Sequence, residues 1–303
     1  PPSVVLFLTI IIRYFSSKST ICCDRAFCIT GYLLEERLSY NRDAEHEIIV
    51  ASLVKYVRIY VGMSILYIPL TVYGVFQEFR GNNNLFVTVY NLIKNYFLVG
   101  EQFYSWQLWY LLAAILGMAV LLLAPNKHSY DLLFFSCVFF ALAYVINCFQ
   151  GTRIIDLTIV NGRLFTGPSY ILMGMLVKRK HEFFSQSGGI IAPILICFCS
   201  VLFKIPYSTT NIMAFLSVPW ILGIVMKYSI NCFQVGISKE CREISSIIYF
   251  SHMYFLFVWM CMLPNKEKGA VCFMFVSGTS FLFSVVFSQL KRKYVVRRIE
   301  EKR

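Results

Sequence analysis

The chain has 303 residues, of which 58% are apolar and only 15% are charged, and its formal net charge is +12. A soluble domain carries about 25% charged and 45–50% apolar residues, so this composition excludes an ordinary soluble protein. The positive charge does not indicate a nucleic-acid partner, because Lys and Arg accumulate in the cytoplasmic loops of membrane proteins whatever their function.

Long apolar stretches with few charges follow one another along the chain. A helix needs about 20 apolar residues to cross the hydrocarbon core of a bilayer. The sequence therefore predicts an all-α, polytopic membrane protein with about ten transmembrane helices. The predicted spans are residues 1–15, 21–34, 57–76, 105–124, 131–149, 163–177, 189–204, 212–228, 245–263 and 269–290.

The distribution of basic residues predicts the orientation of these spans. If the loop 35–57 is cytoplasmic, most Lys and Arg residues fall on the cytoplasmic side, as the positive-inside rule requires. We therefore expect a multi-pass protein of the cell (inner or plasma) membrane with a cytoplasmic C-terminus. Residues 1–290 form the predicted transmembrane domain, and residues 291–303 form a basic tail that fixes topology and attracts anionic lipid.

The longest predicted outer loop covers residues 77–104 and contains a half-apolar stretch at 85–99. Lys94 and two asparagines, Asn91 and Asn95, interrupt this stretch. We interpret it as an interfacial or re-entrant segment, since long loops are more often functional than ornamental.

Lys55 and Arg58 stand at the cytoplasmic mouth of the predicted third span, three residues apart and so on one helical face. Two cations on one face, with Tyr56 and Tyr60 beside them, suit a phosphate-bearing donor. They are equally compatible with side chains that extend to lipid headgroups.

Tyr249 and His252 share a face of the predicted ninth span. An ionisable group inside a membrane helix is costly and often functional, and a histidine there can transfer protons. The alternative is a core histidine satisfied by one hydrogen bond between helices.

Trp109 and Tyr110 open the predicted fourth span, and Arg163 opens the sixth span on the same outer side. Aromatic residues at this depth usually form an interfacial belt. The same three residues would also suit the mouth of a sugar-binding site.

The 11 cysteines mostly lie in apolar stretches, where a thiol behaves as a small hydrophobe. The spacing of Cys197 and Cys199 and the adjacent pair Cys22 and Cys23 do not match a zinc site. No metal site is therefore predicted.

Five short segments, in order along the chain, resemble membrane-bound acyltransferase family 3. They are 27–34, 55–60 with 67–69, 108–112, 161–177, and the Ser245-to-His252 segment that contains Ile248 and Tyr249. The resemblance covers nearly the whole chain on a ten-helix plan.

The resemblance implies an enzyme that transfers acyl groups other than aminoacyl groups. It implies O-acylation, commonly O-acetylation, of a polysaccharide or lipid-linked glycan hydroxyl outside the cytoplasm, with acetyl-CoA or another acyl-CoA as co-substrate. Within it, Lys55 and Arg58 would steady the donor phosphates. That His252 serves as the base that deprotonates the acceptor is our own hypothesis, motivated by its place beside Tyr249. Trp109, Tyr110 and Arg163 would contact the glycan.

One departure from the family concerns the first helix, which in the family carries an Arg and a His that serves as base. Here no histidine precedes His46, and Arg13 and Tyr14 stand where that histidine is expected. We expect part of this helix to lie upstream of Pro1. The alternative interpretations are a transporter or flippase of a lipid-linked glycan, a glycosyltransferase, and a catalytically inactive relative; the sequence gives no oligomeric state.

Overall fold

A computed structural model describes residues 20–82, 84–99, 108–123, 128–149, 163–186, 191, 195, 207–229, 235–263 and 269–300. The described chain is helical, with no strand among these residues, which confirms the all-α class. The helices are α1 (Thr20–Tyr40), α2 (Glu45–Leu66), α3 (Ile68–Asn82), α4 (Leu85–Lys94), α5 (Leu108–Leu123), α6 (Ser129–Phe149), α7 (Arg163–Arg179), α8 (His181–Phe184), α9 (Tyr207–Ser229), α10 (Val235–Met262) and α11 (Ala270–Glu300).

Four stretches of helix are long and apolar enough to cross a membrane. They are Glu45–Leu66, Ser129–Ile146, Glu243–Met262 and Val271–Lys291, and shorter apolar helices occupy Leu108–Leu123 and Ala214–Lys227. The chain is thus a helical membrane protein in composition and helix length. The predicted spans 1–15 and 189–204 lie outside the described residues, apart from 191 and 195.

The described residues fall into two compact units. The first holds residues 20–62, 89–99, 108–123, 128–149, 163–186, 191, 195 and 207–229. The second holds residues 63–82, 84–88, 235–263 and 269–300.

Helix α7 is the central element of the first unit, and its residues from Gly167 to Val177 are all buried. A helix that is apolar on every side must be surrounded, and α1, α5 and α6 pack around it. Small residues allow the closest approaches. A Cβ built on Gly31 would lie 1.9 Å from the carbonyl oxygen of Ile171, and one on Gly174 would lie 1.9 Å from that of Cys28.

The directions of the helices follow from their contacts. On α1 and α7, Gly31 meets Ile171 near the crossing point and Glu35 meets Arg179 further toward both C-terminal ends, so these two helices are parallel. Helix α5 is also parallel to α7, since Ala113 lies against Gly167 and Gly117 against Ile171 further along.

Helix α6 runs the opposite way to α7. The hydroxyl of Ser136 donates to the carbonyl of Ser169 at 2.9 Å, whereas Phe139, later on α6, stacks on Phe165, earlier on α7. The α1, α5, α6 and α7 directions agree with the alternation predicted for spans two, four, five and six.

In the second unit, α10 and α11 form an antiparallel pair. Phe255 contacts Phe283, Trp259 contacts Phe275, and near the other end Lys291 pairs with Glu243 at 2.5 Å. Buried serines at positions 280, 284 and 288 recur every four residues on α11, a spacing that lets membrane helices approach closely.

The predicted span 57–76 differs from the observed helices. Helix α2 begins at Glu45, inside the predicted loop 35–57, and ends at Leu66, and α3 begins at Ile68. The interruption at Tyr67 precedes Pro69, which has no N–H to donate and is accommodated in the first turn of a helix. Helix α11 continues without a break from Ala270 to Glu300, through the predicted start of the basic tail at residue 291.

The predicted interfacial stretch 85–99 is helical throughout. Asn84 begins it, since its side-chain oxygen accepts hydrogen bonds from the N–H groups of Phe86 at 3.1 Å and Val87 at 3.3 Å. A π-helical turn, Asn95–Val99, follows α4. Large apolar side chains on this segment are exposed, including Phe86 at 81% and Phe97 at 69%.

Candidate functional site

His252 and Tyr249 lie one turn apart on α10, with ring centroids 6.1 Å apart. The Nδ1 atom of His252 lies 3.2 Å from the carbonyl oxygen of Ile248 on the same helix. A carbonyl oxygen can only accept a hydrogen bond, so Nδ1 carries the proton and Nε2 keeps the lone pair in the neutral ring. The half-buried imidazole thus offers Nε2 as its basic atom.

The segment around Tyr67 is held against α10 within the second unit. The hydroxyl of Tyr67 donates to the carbonyl of Phe250, and that of Tyr254 donates to the carbonyl of Leu66. The rings of Tyr67 and Tyr254 stack at 5.5 Å and 13°. The carbonyls at the α2–α3 interruption and beside His252 are therefore met by phenol donors in the same unit.

Lys55 and Arg58 are both exposed on one face of α2, as their spacing predicts. Within the described part of the chain, neither forms an ion pair or hydrogen bond. Their neighbour Tyr60 is buried and donates to the carbonyl of Tyr96 at 2.6 Å, in the π-helical turn. Tyr56 points its hydroxyl toward Thr30 on α1, at 3.5 Å.

Trp109 and Tyr110 lie in the first turn of α5, and both pack on Phe27 of α1. Trp109 meets the Phe27 ring edge-on at 5.8 Å, and Tyr110 stacks on it at 4.5 Å. Trp109 is only 7% exposed and belongs to the core of the first unit, so the interpretation as an aromatic belt is wrong for this residue. The cause is the packing of α5 against α1 and α7, which encloses the indole.

Arg163 is the first residue of α7, and the predicted span 163–177 begins at the same residue. Its side chain, together with Asn161 and Gly162 of the same sequence segment, lies outside what the structure describes.

A cluster of hydroxyls (Tyr56, Thr30 and Tyr110, hereafter the hydroxyl trio) joins three helices of the first unit. The Oγ1 atom of Thr30 lies 3.4 Å from the hydroxyl of Tyr110 and 3.5 Å from that of Tyr56. The Thr30 hydroxyl also donates to the carbonyl of Ala26 at 2.8 Å. The trio thus links Tyr110, a candidate for contact with the glycan acceptor, to Tyr56, which follows Lys55 on α2.

The sequence interpretation missed an ion cluster where α1 and α7 end. Glu35 is 1% exposed, and its carboxylate accepts hydrogen bonds from Arg179 at 2.7 and 3.0 Å and from Arg42 at 2.8 Å. Lys178 pairs with Glu36 at 3.0 Å, and its ammonium lies 4.9 Å from the centre of the Tyr32 ring. The signal was present, since an acidic pair ends one span and basic residues end another, but the basic residues were interpreted only as markers of topology.

Lys178, one residue beyond the predicted span 163–177, has an altered pKa. Partial burial acts to lower the pKa of its ammonium, but the hydrogen bond to Glu36, the electrostatic effect of the Tyr32 phenol group and the Glu36 charge outweigh it. The pKa therefore lies above its usual value, and the group is charged at neutral pH.

Among the residues that the structure describes, no three His, Cys, Asp or Glu side chains are grouped so that they could hold a metal ion. Comparisons with protein-family models, with curated proteins and with solved structures find no match.

Proposed function

We propose that the chain is a membrane-bound O-acyltransferase. It moves an acyl group, in the first instance acetyl, from a cytoplasmic acyl-CoA to a hydroxyl of an extracytoplasmic or lipid-linked glycan. In this proposal it is a multi-pass protein of the inner or plasma membrane with a cytoplasmic C-terminus, and it belongs with the acyltransferases that it resembles.

The observation that supports the proposal best is the way the resembling segments pack. Gly31 of the segment 27–34 and Gly174 of the segment 161–177 each abut the backbone of the other helix. Segments that belong to the fold of one family should contact one another in the core, even though they are far apart in sequence. The segment 108–112 joins them through Trp109 and Tyr110 on Phe27.

The stretch 67–69 and the Ser245-to-His252 segment also meet, in the second unit. Tyr67, in 67–69, donates to the carbonyl of Phe250, in the Ser245-to-His252 segment. Each long-range association brings together residues that the resemblance names and that composition alone does not link.

The proposed chemistry is a direct transfer. Nε2 of His252 removes the proton from the acceptor hydroxyl, whose oxygen attacks the thioester carbonyl. The C–S bond of the donor then breaks, an ester C–O bond forms, and the thiolate leaves and takes up a proton. Lys55 and Arg58 hold the phosphates of the donor through their exposed charges.

Turnover of acetyl-CoA by the purified chain in lipid nanodiscs tests the proposal. We expect His252→Gln to lower kcat by about 10²–10⁴-fold, the usual contribution of a general base. His46→Gln is the matched control, because His46 is exposed on α2 and has no role in the proposal. Folded protein without turnover, or equal turnover in wild type and His252→Gln, would contradict the proposal and favour a glycan transporter or an inactive relative.

A further inference from the structure

The segment 85–99, formed by α4 and the π-helical turn, presents apolar side chains outward. Its exposed apolar residues are Leu85, Phe86, Val87, Val89, Tyr90, Ile93 and Phe97. At about 100° of rotation per residue, those on α4 other than Val87 fall within about 140° of the helix circumference. These five residues, together with Phe97, are called the outer face below.

The polar side chains of the segment lie on the opposite side of the helix. Thr88 is completely buried, and Asn91 and Asn95 are half-buried. In a helix at the surface of a soluble domain, the apolar stripe faces the core and the polar residues face water. The segment 85–99 has the reverse arrangement, which indicates that its outer face meets an apolar medium.

The segment is attached to the first unit at its C-terminal end. The buried hydroxyl of Tyr60, on α2, donates to the carbonyl of Tyr96 at 2.6 Å, and the two rings meet edge-on at 6.0 Å. Tyr96 itself is half-buried, whereas Phe97, the next residue, is 69% exposed. The attachment therefore leaves the outer face available for a partner.

We propose that the segment 85–99 lies in the surface of one bilayer leaflet, with its outer face among phospholipid acyl chains. The segment is about 22 Å long and cannot cross a hydrocarbon core of about 30 Å. A re-entrant segment is covered by protein or lines a water-filled cavity, whereas here the apolar side is the exposed side. The inference thus selects the interfacial interpretation over the re-entrant one, and it does not depend on acyl transfer.

The two chemical ends of the segment also suit the leaflet surface. The side chain of Asn84 satisfies the N–H groups of Phe86 and Val87. The other terminal backbone groups of a helix need water or polar partners, which the headgroup region supplies and the hydrocarbon core does not.

Lys94 is the single charged residue in the sequence 84–99. Its ammonium lies 6.0 Å from the centre of the Tyr90 ring, at the margin of the outer face. A lysine in this position can cover apolar surface with its methylene groups and extend its charge to a lipid phosphate. Tyrosine is likewise enriched at the level of the headgroups.

The composition of the outer face favours lipid over a second copy of this chain. Membrane helices that pack on one another use small residues, which let the backbones approach closely. The outer face has no Gly, Ala, Ser or Thr, and its most exposed members are two phenylalanines, Phe86 at 81% and Phe97 at 69%. Large, flexible apolar groups of this kind insert between acyl chains.

Photochemical capture in proteoliposomes of phosphatidylcholine tests the inference on the full chain. p-Benzoylphenylalanine replaces Phe86, Ile93 or Phe97, one at a time. On irradiation the benzophenone carbonyl adds across a nearby C–H bond, so the protein mass rises by the mass of the captured molecule. Phe134, 64% exposed in the apolar stretch Ser129–Ile146, is the lipid-facing control, and Tyr40, 85% exposed beside the polar residue Asn41, is the water-facing control.

We expect phosphatidylcholine adducts at all three positions and at Phe134, and none at Tyr40. Tandem mass spectrometry should place the adducts of the outer face on the half of the acyl chain nearest the glycerol. Adducts at the methyl ends of the chains, or cross-links within one chain, would show a re-entrant segment and overturn the inference. A dimer-sized product would show a second copy on this face, and adducts at Phe134 alone would show an aqueous loop; either result would also overturn it.

Discussion

Arg179 holds Glu35 through two hydrogen bonds, from Nε to Oε1 at 2.7 Å and from Nη2 to Oε2 at 3.0 Å. This pairing joins the C-terminal ends of α1 and α7. Arg42, in the short connection between α1 and α2, binds the same carboxylate at 2.8 Å. One buried carboxylate therefore fixes two helix ends and the start of a third.

Glu35→Gln should destabilise the protein by about 2–4 kcal/mol, because it leaves two guanidinium groups without their counter-charge, one of them nearly buried. Glu36→Gln is the matched control. Its pair with Lys178 is considerably more exposed, so we expect a loss below about 1 kcal/mol. The free energy of unfolding of each variant is measured in mixed micelles. Equal losses for Glu35→Gln and Glu36→Gln would show that the Glu35 cluster stabilises the protein no more than the exposed pair does.

Gly31→Ala and Gly174→Ala should each prevent the close packing of α1 and α7. A methyl group at either position would overlap a backbone carbonyl, which cannot move aside as a side-chain end can. We expect a loss of at least about 3 kcal/mol, the upper range for overpacking. Gly62→Ala is the control, since nothing lies within 4 Å of its added Cβ. The yield of monodisperse protein and its melting temperature report the effect, and well-folded Gly31→Ala protein would contradict it.

Tyr67→Phe should weaken the attachment of the α2–α3 interruption to α10. The substitution removes the donor to the carbonyl of Phe250 but keeps the ring that stacks on Tyr254. The expected cost is about 1–2 kcal/mol, because a partly buried carbonyl loses its phenol partner. Tyr90→Phe, at a side chain 48% exposed on α4, should change stability by less than about 0.5 kcal/mol. A melting temperature unchanged in both variants would contradict the assignment.

Lys55→Ala and Arg58→Ala should separate function from stability. Both side chains are exposed on α2, so the free energy of unfolding should change by less than about 0.5 kcal/mol. If they hold donor phosphates, the KM for acetyl-CoA should rise by about tenfold for each, with a smaller effect on kcat. Lys94→Ala, another basic residue on a described helix, serves as the control. A KM that is the same in all three variants would exclude the donor role.

The helical class and the positions of α5, α6, α7, α9, α10 and α11 follow from hydropathy, because the bilayer leaves the backbone little alternative to a helix. The N-terminal part of α2 is harder to predict from the sequence. Its polar first residues resembled a loop, although Glu45 and Glu47 are favourable at the positive end of a helix.

The contacts of the candidate site depend on which faces of distant helices meet, and a single sequence does not contain this information. Glu35 is separated from Arg179 by 144 positions, and Thr30 from Tyr110 by 80. Spacing along one helix correctly placed Lys55 with Arg58 and Tyr249 with His252. It could not show that Trp109 would be enclosed by the protein.

Helices α1, α5 and α7 run in the same direction, and this restricts the number of times that the chain between them can cross a bilayer. If α1 and α5 both cross the bilayer in the same direction, the chain between them must cross it an odd number of times. The helical segment 85–99, α4 with its π-helical turn, is about 22 Å long and too short to cross a hydrocarbon core of about 30 Å. An odd number of crossings allows α2 and α3 together to cross the bilayer once. It excludes a separate crossing by each of the two helices. Under that condition, the interruption at Tyr67 is a bend within one passage or the point where the chain leaves the bilayer.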